Sequence, residues 1–436
     1  MVGINGVCRG VRCVPLPWSM TNSTYRRRAH IILTVLVLFG QVAVVPGHGQ
    51  PAPGFLQISV TGGPAPVGTL RMGILTAVRA LVPETRSEDV TLVGTAPPLA
   101  DLQAGSTATV QAVIQITPPE GPPSGRVIPV TFRNIIFPWS DAQVLLVSNS
   151  PETLPFGKVL FSGALNSGQT IRLLYHHQNG SRSKHMQISV ALSNPTRSPV
   201  VLWVSGAQSG DGGDELALGH AAARQFLEQY WNHAGFLVQV PANATLPFLV
   251  HDLAPLAVGS GLAQIQLVQG TRLNLQVVAR LDGEADPPPA SFAPDFDKLH
   301  QRGAFKRPQV VRTLTYTAGG PPVAMEIGAD TDLLDEEATG ERLQGNYGVM
   351  YVFDVQAQNP TPDPVPVALV MRATGGPARA TLLVGDRLID GPVVQPNAPQ
   401  VLTTLMLAPG IRRILRIATM PESGSNYPVR LTLEHL

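Results

Sequence analysis

The chain has almost no thiol. Its two cysteines, Cys8 and Cys13, stand near the very start of 436 residues, and the rest holds none. Disulfide staples, thiol nucleophiles and thiolate metal centres therefore have no material to form from beyond the leader. Charge is also scarce, at 14% Asp, Glu, Lys and Arg, against about 25% in an ordinary globular chain. A helical bundle needs more solvent-facing Glu and Lys than this. Aromatic residues make up 6%, which weakens the case for a long carbohydrate-stacking platform. No G-x-S-x-G, H-E-x-x-H or G-x-x-x-x-G-K sequence occurs, so the signatures of serine hydrolases, zinc proteases and nucleotide binders are missing. There is no dense basic patch with interleaved aromatics, and nucleic-acid binding is not expected.

What the chain has instead is glycine (42) and proline (41). Glycine supplies positive φ and proline presets φ near about −65°, and both suit short strands joined by tight turns. From Phe55 onward, alternating apolar runs such as TATVQAVIQI, MQISVALSN and RLNLQVVARL recur between Gly, Pro, Asn and Asp. That is the spacing of antiparallel sandwiches. The fold class expected is all-β: two or three antiparallel β-sandwich-like domains with one inserted amphipathic helix. The helix is expected over 216–233, where Ala222, Phe226, Leu227, Tyr230 and Trp231 form one apolar stripe. Asp214 is its N-cap and Gly235 its stop. The domains read as a signal peptide (1–49), an N-terminal β segment (50–140), a β-sandwich domain holding the helix (141–285), a linker around the Pro287–Pro289 triplet (286–310) and a C-terminal β-sandwich domain (311–436).

Arg26, Arg27 and Arg28 precede an apolar run from Ile31 to Val45. The run is shorter than the about 20 residues that span a bilayer, and it matches the apolar region of an export signal. Pro46 and the small residues Gly47 and Gly49 put the cut between Gly49 and Gln50. An uncleaved anchor is the alternative. Met20 is a more natural start for such a leader than Met1. The leader carries five Arg and no acid, which leaves 26 basic and 30 acidic residues, near −4, in the mature chain. The expected product is a secreted bacterial-type protein, extracellular or attached to the cell envelope, with no membrane span after cleavage.

An internal echo links the two halves. Met186–Asn194 followed by Pro195-Thr196 and Pro199-Val200 matches Tyr351–Asn359 followed by Pro360-Thr361 and Pro364-Val365 in the same register. Each is an alternating strand, an Asn-Pro-Thr turn and a second apolar strand. Two related sandwiches from a duplication would give this pattern. So would the plain suitability of Asn-Pro for turns.

Four stretches are familiar in their order: Ser148–Glu152 (SNSPE) with Gly157–Leu160, Arg172–Asn179 (RLLYHHQN), Gly345–Val349 (GNYGV) and Pro421–Val429 (PESGSNYPV). Together they resemble a recurring block of secreted bacterial proteins, some joined to domains named after the N-terminal domain of copper amine oxidases. The resemblance covers about residues 145–436. It implies export and β architecture but no activity, and no oxidase chemistry, because Asn346-Tyr347 lacks surrounding metal-binding histidines.

Candidate sites are few. His176, His177 and His220 are imidazoles that could serve Zn²⁺ if they converged. Adjacent strand positions face opposite ways, so only one of His176 and His177 can face a given site. Asp211 and Asp214, with Glu215, form one acidic loop, and Asp330–Glu337 another; either could hold Ca²⁺. Neither has the full EF-hand order. The bland readings are turn hydrogen bonds for the histidines and helix capping for Asp214. The function expected is a non-catalytic structural or binding protein, with a cell-envelope polymer or surface protein as partner. The alternative is a secreted metal-assisted hydrolase using the His176/His177/His220 region.

Overall fold

The computed structural model describes residues 55–81, 90–117, 122–284, 287, 295–296 and 300–436. The export signal and the Gly49/Gln50 cut lie outside them. The N-terminal part folds as β1 (Leu56–Thr61), α1 (Val67–Leu81), β2 (Val90–Ala96), β3 (Thr107–Ile116) and β4 (Ser124–Asn134). The middle part runs through β5 (Val144–Ser148), β6 (Thr153–Leu154), β7 (Lys158–Asn166), β8 (Thr170–Asn179), β9 (Met186–Ser193), β10 (Val200–Gln208), α2 (Glu215–Asn232), β11 (Gly235–Val240), β12 (Thr245–Leu253), β13 (Val258–Gln269), β14 (Arg272–Leu281), β15 (Asp295–Phe296) and β16 (Gln301–Lys306). The C-terminal part holds β17 (Gln309–Thr317), β18 (Val323–Ile327), β19 (Met350–Gln358), β20 (Val365–Ala373), β21 (Thr381–Val384), β22 (Arg387–Asp390), β23 (Gln400–Leu407), β24 (Arg412–Thr419) and β25 (Val429–His435).

These strands form four sheets, and the all-β class holds. A 12-stranded sheet runs β15-β16-β5-β8-β13-β10-β11-β1-β4-β3-β2, with β6 beside β8. Its middle strands face the sheet β12-β9-β14-β7, and the two share one apolar core. The C-terminal sandwich sets β17-β19-β24-β21-β22 against β18-β25-β20-β23. Most pairs are antiparallel; β1/β4, β5/β8, β6/β8 and β17/β19 are parallel. The segments read as separate do not end at their expected edges. The strands of 50–140 extend the same sheet as the middle part, and β16, inside the stretch expected as a linker, pairs with β5. Among the described residues no helix is long and apolar enough to cross a membrane.

The described residues hold two α-helices where one was expected. Helix α2 starts as predicted, with Asp214 Oδ1 accepting the Ala217 N–H at 3.1 Å. It stops two residues before Gly235, at His233, which takes the left-handed conformation (φ 52°). Gly235 instead opens β11, where a side chain would collide with Trp203. Helix α1 has no local N-cap: its first N–H, on Val67, is satisfied by Asp101 Oδ1 at 3.0 Å, 34 residues away. Its Gly73 lies against Ile58 and Phe236, so the small residue that weakens its propensity is what lets it approach the sheet.

Strand β8 explains how the two sandwiches meet. It is buried on both faces, which erases the polar alternation of a half-exposed strand. Ile171, Leu173 and Tyr175 enter the first core, while Leu174 belongs to the second, with Phe226 and Leu227 of α2 and the C-terminal sandwich. Arg172 and His176 share the Leu174 face by the period of two.

Candidate functional site

The Arg172 side chain is almost wholly buried. An unpartnered ion there would cost several kcal/mol, about 3–5 when a partner is deleted. Its Nη1 donates to Gly348 O at 2.9 Å and Pro308 O at 3.3 Å, and its guanidinium sits 5.6 Å from the Phe226 ring and 5.8 Å from Tyr230. Tyr230 in turn donates to Asp141 at 2.7 Å. Arg172 thus clasps the GNYGV turn to β8. Gly348 has φ 82°, and a side chain there would press on Leu145 and Leu174, so this turn needs glycine.

Two steps further along the same face of β8, His176 opens into a polar cleft of about 260 Å³. Asn149 and Glu152 reach it from the loop after β5, Glu215 from the first turn of α2, and His300 from the start of β16. Tyr347 and the Ser423–Asn426 loop close it from the C-terminal sandwich. The SNSPE, RLLYHHQN, GNYGV and PESGSNYPV stretches therefore all contribute to one place. Tyr347 donates to Ser425 O at 2.7 Å and stands edge-on to Tyr427, which fixes that wall.

The loop wall is held against α2 by two close glycine contacts. A methyl group on Gly219 would overlap the Ser423 carbonyl, and one on Gly424 (φ 75°) would overlap the Glu215 carbonyl. Beside them, His220 joins Glu422 through Nδ1 at 2.8 Å and Asp390 through Nε2 at 2.6 Å. Glu422 also accepts the Thr381 N–H at 2.6 Å. Partial burial works against the charge of Asp390, but His220 and Arg379 outweigh it and hold its carboxyl below the usual range.

The predicted site residues separate on inspection. His177 is on the far face of β8, with Nε2 3.0 Å from Ser148 Oγ and Nδ1 2.9 Å from Pro151 O. Burial pushes its pKa down to about 3, so it stays neutral. His220 has both ring nitrogens on carboxylates. Asp214 caps α2, and Asp211 is exposed and outside the cleft. In the second acidic loop, Asp332 pairs with Arg312, and Glu336 accepts N–H groups of Ala304, Ala338 and Thr339. His176 differs from the other candidates: it is 2% exposed, and neither ring nitrogen has a hydrogen bond. Its Nε2 lies 3.5 Å from Glu152 Oε1, longer than a formed charge-assisted bond. His300 Nε2 contacts the other oxygen of Glu152. The nearness of His176, aided by His300 and His177, holds the Glu152 carboxyl below its usual range despite partial burial. Asn149 Oδ1 is buried without a partner in the same cleft. Glu152 and His300 were not singled out in the sequence as ligands, although Glu152 stood inside a quoted motif; Glu215 was named with Asp211 and Asp214 in the acidic loop, but it lines the cleft without Asp211 or Asp214.

No known protein family and no curated protein matches the chain. Among solved structures, similarity is found to an M60 catalytic domain with two CBM51 domains of ZmpB from Clostridium perfringens (8% identity, TM-score 0.15, 80% of this chain and 43% of that one). It is found also to tripeptidyl peptidase 2 (12%, TM-score 0.17, 77% and 27%). A third is the tandem CBM22 domains of Xyn10C from Paenibacillus barcinonensis (10%, TM-score 0.14, 65% and 91%). The chain spans less than half the length of the first two.

Proposed function

We propose that this chain is a secreted or envelope-associated binding protein that takes a small polar group into the cleft without transforming it. The observation that carries the reading is the set of buried polar atoms without a formed hydrogen bond on residues lining the cleft, Asn149 Oδ1 and both nitrogens of His176, in a cavity built from segments up to 277 positions apart. Buried polar atoms are normally paired, and an unpaired one costs about 1–3 kcal/mol that a ligand can recover. At about 260 Å³ the cleft is just below the roughly 300–1,000 Å³ of drug-sized pockets. It suits one residue or one end group of a larger surface polymer. Binding fits better than acid catalysis, because Glu152 is held ionised instead of being raised toward the neutral range that a general acid needs.

The test is co-sedimentation of the purified protein with isolated cell envelopes. Saturable binding that weakens at least tenfold in Asn149→Ala is expected. Absence of binding by the unaltered protein, or equal binding by the variant, overturns the assignment of the cleft as a recognition site.

A further inference from the structure

We propose that the cleft holds one divalent transition-metal ion of the Zn²⁺ class, with Glu152, His176 and Glu215 as its protein ligands. The proposal rests on the reading of the cleft as a ligand site and names what that site takes.

Three observations converge on it. First, one donor atom from each of Glu152, His176 and Glu215 lies within 4.8 Å of the other two. Ligand bonds of about 2 Å around a tetrahedral ion put its donors about 3.3 Å apart. The His176 to Glu152 distance of 3.5 Å is already at that spacing, though it is too long for a good direct hydrogen bond. Glu215 is exposed and can close the remaining gap by a rotamer change. Second, His176 is buried with no hydrogen-bond partner on either nitrogen. A neutral imidazole carries one N–H and one lone pair; with the proton on Nδ1, the Nε2 lone pair faces the Glu152 carboxylate, and a cation between them satisfies both. Third, the charges balance. Two carboxylates and a neutral imidazole carry −2, which a divalent ion cancels. The mixed N/O donor set with no sulfur selects a borderline ion such as Zn²⁺ over Ca²⁺, which prefers six to eight oxygens.

His300 contacts the Glu152 oxygen that does not face His176, and so acts as a positioning residue for that carboxylate. Three protein donors leave a fourth position open to water or to an oxygen of the bound group. The calcium reading at Asp211 and Asp214 draws no support from these contacts, since Asp214 is engaged as a helix cap.

The experiment uses the full purified protein, stripped with a chelator and dialysed against Zn²⁺, with bound metal counted by mass spectrometry and affinity read by competition with a chromophoric chelator. One Zn²⁺ per chain is expected, not displaced by Ca²⁺ at equal concentration. Glu215→Gln lies on the surface and leaves folding intact; it should weaken binding at least tenfold. His176→Asn should abolish the site, and His300→Ala should weaken it by about tenfold. No bound Zn²⁺, or unchanged binding in both Glu215→Gln and His176→Asn, overturns the proposal. Envelope co-sedimentation of the stripped protein separates the two readings. Envelope binding with no Zn²⁺ uptake removes the metal and leaves the binding protein. Zn²⁺ uptake lost in His176→Asn, with no envelope binding, leaves the metal site and removes the envelope role.

Discussion

The corners at Asn194 and Asn359 are nearly the same object built twice. In each, the backbone N–H reaches across to a turn residue, Ala244 O at 2.9 Å and Ile411 O at 3.0 Å. The Nδ2 group donates to the carbonyl four residues on, Ser198 or Asp363, and to the end of the facing strand, Val240 or Leu407. The Oδ1 atom accepts from the N–H and hydroxyl of Thr196 or Thr361. The strands that follow pair in the same register, Val200 with Val240 and Val365 with Leu407. The sheet orders agree as well, β8-β13-β10-β11 and β18-β25-β20-β23. What differs is the insertion after the first strand of each pair: helix α2 in the middle sandwich, the hairpin β21–β22 in the C-terminal one. The two insertions pack on each other through His220, Arg224 and Asp390. A repeated frame thus supplies the fold, and the parts where the repeats diverge supply the joint beside the cleft.

A third corner sharpens the point. Asn179 makes a closely similar set, to Ala257 O from its N–H, to Lys184 (five residues on), Leu253 and Ala254 from Nδ2, and from the Ser181 N–H to Oδ1, although Gly-Ser replaces Pro-Thr after it. Asparagine is the working part of the motif, and the proline is dispensable.

The largest expected effect comes from deleting that part. Asn194→Ala and Asn359→Ala each leave buried carbonyls unpaired and should cost about 3 kcal/mol, agreeing with each other within about 1 kcal/mol. Denaturant midpoints measure this, and a much larger gap between the two variants would break the equivalence of the corners. Next is the joint between the insertions. Gly219→Ala should gain about 1 kcal/mol of helix propensity but lose about 3 to overpacking against the Ser423 carbonyl, a net loss of about 2. A stabilised variant in the same unfolding assay would mean the helix and loop are not in tight contact. The smallest effect concerns the turns that receive the corners. Asn243, Gly410 and Leu256 occupy equivalent positions with φ of 57°, 64° and 63°. Leucine is the poorest choice of the three, and its side chain is 50% exposed. Leu256→Gly should therefore stabilise by about 1 kcal/mol, and Gly410→Ala should destabilise by about as much. Thermal midpoints that move the same way in both variants would contradict the shared turn geometry.

This comparison also separates what could be read from the chain from what could not. The Asn-Pro-Thr echo was legible because one side chain makes the corner from neighbours two and four residues on. Helix α2 was legible through its apolar stripe and Asp214. Helix α1 was not, because its cap comes from Asp101 and its glycines serve packing, Gly73 against β1 and β11 and Gly68 against Gln225 of α2. The alternation along β8 separated His176 from His177 in advance. It could not say which of the two would lack partners, since Ser148, Pro151, Glu152 and His300 are set around them by pairing across the sheet. The cleft itself depends on the contact between α2 and the 421–428 loop, which no local pattern announces.

Arg172 carries a consequence for how such a chain can be inherited. Its charge is rooted in the first repeat, while both carbonyls that receive it, Pro308 and Gly348, belong to the segment beyond. Recombination at the apparent seam would hand one descendant a bare guanidinium beneath two aromatic rings and the other a turn with nothing to hold. A foreign sandwich could replace either one only by bringing its own arginine or its own acceptor turn, so the two sandwiches are exchangeable only together.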